Sequence, residues 1–167
     1  MAILTTTYSA TGTAITCVVT SLAAGAWRAS TAITNATNQY VDVLVGGNIE
    51  VDAQTADGTI EIYAYASADG GTTYSGGLDG TTATITWGTT QNTTVNGFNQ
   101  LVLLGVVDVD ATDDSVDVEF GPFSLSAGYG MVPEDWGIVV RNNCDGQFDA
   151  TGSANTLHYS GIKYTST

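Results

Sequence analysis

Basic residues are almost missing from this chain. Lys and Arg number 3 among 167 residues, against 17 Asp and Glu, for a formal net charge of −14. A protein that grips a phosphate backbone does so by displacing counterions with Lys and Arg. Here Arg28, Arg141 and Lys163 lie too far apart in sequence to form a basic patch. Anionic membrane surfaces are poor partners for the same reason. Neither nucleic acid nor a membrane is therefore an expected partner. Charge of either sign is scarce, at 12% of residues, about half the usual share. The surface must be solubilised largely by hydroxyls and amides.

Other shortages exclude other classes. There is no run of 18 or more apolar residues, hence no transmembrane helix. The apolar stretch 14–26 lacks the preceding Lys or Arg of a secretory leader and contains Thr16, Thr20 and Ser21, which suit an exposed strand. Cys17 and Cys144 are the only cysteines and show no metal-pair spacing. Two partly buried thiols in a reducing compartment are the expectation, with a disulfide between them the alternative. His158 is the only histidine. It could be combined with Cys17 or Cys144 as a thiol enzyme, or with Ser160 as a hydrolase, yet no nucleophile motif supports either. Zinc lacks ligand spacing. A structural histidine and a protein that is not an enzyme are the expectation.

What is abundant points to β-structure. Gly numbers 20, Thr and Ser recur throughout, and β-branched residues are frequent. A chain of this length is one domain able to bury roughly 70% of its unfolded surface. We read residues 1–167 as a single β-sandwich domain, with 1–12 an N-terminal arm or first edge strand. Residues 58–76 form its centre. Ile60, Ile62, Ala64 and Ala66 point one way along a strand, and Glu61, Tyr63 and Tyr65 the other. Asp69-Gly70-Gly71 then supplies a hairpin turn. Further strands are expected at 13–20, 25–34, 39–46, 49–53, 81–87, 92–98, 99–109, 115–126, 136–142 and 156–164. Gly46-Gly47-Asn48 is expected to interrupt one of them. Gly121-Pro122 is expected to mark a bulge or an edge, because proline cannot donate to a ladder. A single helical turn is expected at Pro133-Glu134-Asp135. Eight to ten short strands with little or no helix predict an all-β, antiparallel two-sheet sandwich of jelly-roll type. An immunoglobulin-like sandwich is the second choice, but the spacing of Cys17, Trp27 and Cys144 does not fit it.

Three stretches could carry function. Asp108, Asp110, Asp113, Asp114 and Asp117 form an oxygen-rich run that suits calcium, though it lacks the glycine and terminal glutamate of an EF-hand loop. A solvated turn whose charge discourages edge pairing is the competing reading. Leu101 to Val107 is apolar on both faces, which predicts a strand buried on both sides by its own sandwich or by another subunit. Leu101, Leu103, Leu104 and Val106 are accordingly interface candidates. Tyr63, Tyr65, Tyr74, Trp87 and Trp136 could form a sugar-stacking face, or could pack between sheets or at a subunit interface, where aromatic residues are favoured. Tyr63 and Tyr65 are interface candidates on the second reading.

The succession WRASTAITNATNQYVDVLVGG, GTIEIYAYASADGGTTYSGG and a late WGIVVRN resembles small β-sandwich structural proteins of tailed bacteriophages. The resemblance covers roughly residues 27 to 142 and rests on hairpin chemistry and core pattern. It implies a virion protein made in the host bacterial cytoplasm and placed on the capsid exterior. There it would act as a head decoration or cement protein that binds the major capsid protein and itself, as a trimer or dimer. The arm from Met1 to Thr11 or the 101–107 strand would contribute contacts. The alternative is a tail or fibre module that binds glycan.

Overall fold

The computed structural model describes residues 4–9, 12–85, 100–113, 115–151 and 155–166. Its strands are β1 (Leu4–Tyr8), β2 (Thr13–Ala14), β3 (Trp27–Ala29), β4 (Ile33–Thr34), β5 (Asp42–Asp52), β6 (Gly58–Ser67), β7 (Ala83–Ile85), β8 (Val102–Val109), β9 (Asp117–Ser124), β10 (Asp135–Asn143), β11 (Gln147–Phe148) and β12 (Thr156–Ser166), with one short helix, α1 (Leu125–Tyr129). Nine of these strands run for three residues or more, within the expected number. The expected strand at 92–98, Trp87, Asp114 and residues 1–3, 10 and 11 of the arm lie outside the described residues.

The strands form two antiparallel sheets. The first places β12 between β1 and β5, with β2 beside β12 and with β9 and β11 beside β5. The second runs β7-β3-β10-β6-β8, with β4 beside β10. If β1 with β2 and β3 with β4 are each counted as one and the short β7 and β11 are set aside, eight principal strands remain. Their order is first-eighth-third-sixth in one sheet and second-seventh-fourth-fifth in the other. That is the double Greek key of a jelly roll, as the strand count predicted.

Alternation sets the core between the sheets. Val43, Val45, Ile49 and Val51 of β5 meet Ile60, Ile62 and Ala64 of β6 and Trp136, Ile138 and Val140 of β10. Trp136 stands edge-on to Tyr159 of β12, with ring centroids 5.4 Å apart. Cys17 and Cys144 are both free, so the disulfide alternative is set aside. Burial pushes the Cys17 thiol up to about 12 and the Cys144 thiol up to about 11.

In the second sheet β6 is an inner strand, held by β10 on one side and the edge strand β8 on the other. Its turn at Gly70 and Gly71 has the expected positive φ, 68° and 81°. The chain then reverses only through a single Ser67–Tyr74 bridge instead of a full hairpin. Instead, the segment after β6 folds back over the outer face of the sheet. Tyr63, Tyr65, Val139, Trp27, Ala29 and Ile85 form a second buried cluster there, against which Tyr74, Leu78 and Leu101 pack.

Two expectations change. Gly46 and Gly47 do not break β5, which runs straight through them. They permit close approach: a Cβ at Gly47 would lie 2.2 Å from the Thr156 carbonyl oxygen. The irregularity falls instead in the pairing of β5 with β9, at Gly121-Pro122 as expected. The helical turn lies at Leu125–Tyr129, not at 133–135. The Ser124 hydroxyl accepts from the Ala127 N–H at 3.1 Å, and Gly130 closes the turn in the left-handed region.

Candidate functional site

The sequence candidates separate once folded. Tyr65 is fully buried and Tyr63 nearly so. The Tyr65 hydroxyl donates to the Ser30 carbonyl at 2.6 Å. The Tyr63 hydroxyl donates to Glu61 at 2.6 Å, and Glu61 pairs with Arg141 at 3.0 Å. The Arg141 guanidinium lies 4.9 Å over the Trp27 ring, and Trp27 meets Tyr63 at 5.4 Å. Tyr63 and Tyr65 are therefore corrected from interface candidates to interior residues of a covered sheet face. Period-two alternation shows that a strand has two faces but not that a distant loop will roof the second one. Trp136 is also fully buried, so the sugar-stacking platform loses three of its proposed members.

The 101–107 stretch behaves in the opposite way. It is the edge strand β8, not a strand buried on both sides by its own sandwich. Leu104 packs against the main core and Leu101 against the second cluster. Leu103 and Val106 remain half exposed, at 50% and 48%.

The aspartate run lies at the β8–β9 turn. Asp113 accepts from the Asp110 N–H at 2.9 Å, and Asp110 accepts from the Thr112 N–H at 3.0 Å. These carboxylates close their own turn, and the Thr112 bonds hold the Asp110 carboxyl below the usual range. Asp108 and Asp110 line a hollow of about 450 Å³ with Asp57 and Asn143. Asp117 stands apart on β9, opposite Glu50 of β5. A different trio, Glu50, Asp52 and Asp149, brings its carboxylate oxygens within 4.8 Å of one another. This arrangement could hold a cation by chemistry, but Asp149 already accepts from the Thr151 N–H at 2.6 Å.

His158 and Ser160 lie two residues apart on the outward face of β12. With Leu44, Asn48, Glu119 and Pro122 they line an open trough of about 550 Å³. Gly46 forms its floor: a Cβ there would sit 3.5 Å from His158 Nε2. The Ser160 hydroxyl accepts from the Gly12 N–H at 3.3 Å. Cys17 and Cys144 belong to the core instead, so the structure does not assemble a thiol–histidine pair.

Charge is segregated along the chain. All the Asp and Glu side chains fall between Asp42 and Asp149, so residues 1–41 and 150–167 carry no acidic side chain. The fold gathers these acid-free segments. β1, β2 and β12 form one margin of the first sheet. The β2–β3 connection ties that margin to the second sheet through the Thr31 N–H to the Thr16 carbonyl at 2.8 Å and the Val18 N–H to Thr82 at 3.3 Å. The opposite margin is β8 with β9, bearing Asp108, Asp110, Asp113, Asp117 and Glu119. The first sheet thus has one acid-free margin and one acidic margin, while the second sheet's margin on the acid-free side is β7, which follows the exposed Asp79. A plot of charge along the sequence would have exposed the segregation, though not the edge.

No protein family, curated protein or solved structure matches the chain.

Proposed function

We propose that the protein is a virion structural subunit, a decoration or cement protein that binds the outside of a phage head and stabilises the capsid lattice. The observation that carries this reading is the charge polarity of the jelly roll. An acid-free edge can lie against neighbouring capsid subunits without desolvating carboxylates, which is costly when they go unpaired. The acidic edge then faces solvent and repels other particles. A subunit that binds only the assembled lattice stabilises it by mass action. The test is co-sedimentation of the purified chain with shells assembled from the major capsid protein of the same virion, followed by electron microscopy of the decorated shells. Added density on the outer surface and a raised shell melting temperature are expected. Failure to co-sediment at any salt concentration would overturn the reading.

The trough around His158 favours a second reading, a tail or fibre module that binds glycan. Asn48, Glu119, His158 and Ser160 offer hydrogen-bonding groups to sugar hydroxyls. Glycan-array binding lost in His158→Ala would select this reading over the first.

A further inference from the structure

The acid-free edge ends in an unusual strand. β1 pairs with β12 from Leu4↔Ser166 to Tyr8↔Ile162. The pairing of β12 with β5 stops at Ile162↔Asp42. Beyond that point β1 and residues 163–166 form a two-stranded ribbon, an arrangement that is marginal alone in water. Every residue from Leu4 to Tyr8 is exposed. Natural edge strands are blunted by charge, proline or a covering loop. Leu4-Thr5-Thr6-Thr7-Tyr8 has neither charge nor proline, and no strand or loop among the described residues covers it.

The direction of its free backbone groups follows from the ladder. The Ser9 N–H donates to the Gly161 carbonyl at 2.7 Å. In an antiparallel pair such bonds recur at every second residue, so Thr7 and Thr5 also address β12. The N–H and C=O groups of Leu4, Thr6 and Tyr8 therefore point away from the molecule. The same three side chains share a face with Ile162 and Tyr164, their cross-strand neighbours. Leu4, Tyr8 and Tyr164 are 66%, 64% and 55% exposed, so this face is an apolar stripe. The other face carries Thr5, Thr7, Thr165 and Lys163.

We infer that β1 pairs antiparallel with β1 of a second copy of this chain, about a two-fold axis at Thr6. This inference shares with the reading above the premise that the acid-free edge is the interacting one, and it does not depend on what the capsid partner is. The strand is self-complementary about that axis. Thr6 meets its own copy and Leu4 meets Tyr8 of the other chain. Each of these pairs exchanges two backbone hydrogen bonds, because all three residues present outward-facing groups. An axis normal to the sheet keeps both apolar stripes on one side, where they merge.

Charge selects a second copy over an unrelated strand. Two chains of net charge −14 repel wherever their acidic side chains meet, and this is a margin where none do. The two Lys163 side chains would stand three strand spacings apart, about 14 Å, beyond the Debye length of about 8 Å at physiological salt.

Light scattering during size exclusion of the full chain tests the pairing. A mass twice the 17.2 kDa of the chain is expected, with tighter association as added NaCl screens the distant carboxylates. Thr6→Pro removes only an outward N–H, and proline is tolerated at such edge positions. It should give a folded monomer whose melting temperature matches that of the wild type diluted to its monomeric range. Thr6→Cys should form a symmetric disulfide dimer on mild oxidation, because opposed residues in such a pair have Cα atoms about 5.5 Å apart. Thr5→Cys should not, its two copies being about 8 Å apart. A monomeric wild-type chain, a trimer, or a dimer that survives Thr6→Pro would each overturn the inference. Capsid co-sedimentation by the Thr6→Pro monomer separates the two proposals. Decoration without pairing would leave the function standing, and a dimer that does not decorate would leave the pairing standing.

Discussion

Tyr65→Ala is the substitution that most directly separates an interior tyrosine from a ligand-stacking one. The side chain is fully buried, its hydroxyl donates to the Ser30 carbonyl at 2.6 Å, and its ring meets Tyr74 edge-on at 5.5 Å. It also occupies the space above Gly137 of β10, where a Cβ would come within 2.3 Å of the ring. Truncating a buried aromatic ring costs about 3–5 kcal/mol. At about 3 °C per kcal/mol for a chain of this length, the melting temperature should fall by about 9–15 °C. Tyr65→Phe removes only the hydroxyl and should cost about 1–2 kcal/mol. Gly137→Ala should cost about 1–3 kcal/mol by overpacking. In Tyr65→Ala/Gly137→Ala the new methyl enters vacated space, so the double mutant should be about 1–2 kcal/mol more stable than the sum of the singles. Calorimetry on the wild type and these four variants measures all four values. A Tyr65→Ala melt within about 2 °C of wild type would show that the ring is not an interior tie between β6 and β10, and the reasoning would fail.

On β8, Val106→Asp should leave stability within about 0.5 kcal/mol, whereas Leu104→Asp, which would bury a charge against the core, should cost several kcal/mol; urea melts distinguish them. Asp117→Asn relieves a like-charge pair with Glu50 and should raise stability by about 0.2–1 kcal/mol in EDTA. A rise on calcium addition, or a fall on its removal, confined to the wild type would instead reveal a bound cation. Asp69 is held down to about 2 by hydrogen bonds from Ser67, Thr73 and Thr72. Its folded value lies below its unfolded value of about 3.9, so its contribution is present above pH 4 and is lost as pH falls towards 2. The stability gap between wild type and Asp69→Ala should therefore close across that window, and a gap that stays constant with pH would contradict the assignment. Cys17 and Cys144, their thiols raised by burial, should label with a thiol reagent at pH 8 only at the rate of unfolding; fast labelling of the native protein would place them at the surface.

Much of the architecture follows from residue order alone. Alternation in 42–52, 58–67 and 135–143 marks strands whatever their neighbours are, because the side-chain period of a strand is two. Gly70 and Gly71 sit where a reversal needs positive φ, and Gly121-Pro122 marks where a ladder must be disturbed. The scarcity of cations excludes phosphate-binding surfaces without any fold. Tertiary structure decided what alternation leaves open. Both faces of β6 are apolar enough to bury, and so are both faces of β8. The roof formed by Tyr74, Leu78 and Leu101 covers β6, while β8 was left at an edge with Leu103 and Val106 outside. That choice depends on contacts between residues far apart in sequence, which no local pattern encodes. The same holds for charge. The sequence places its acidic side chains between Asp42 and Asp149, but only the jelly-roll crossing that brings β1 and β2 beside β12 turns two acid-free ends into one acid-free margin.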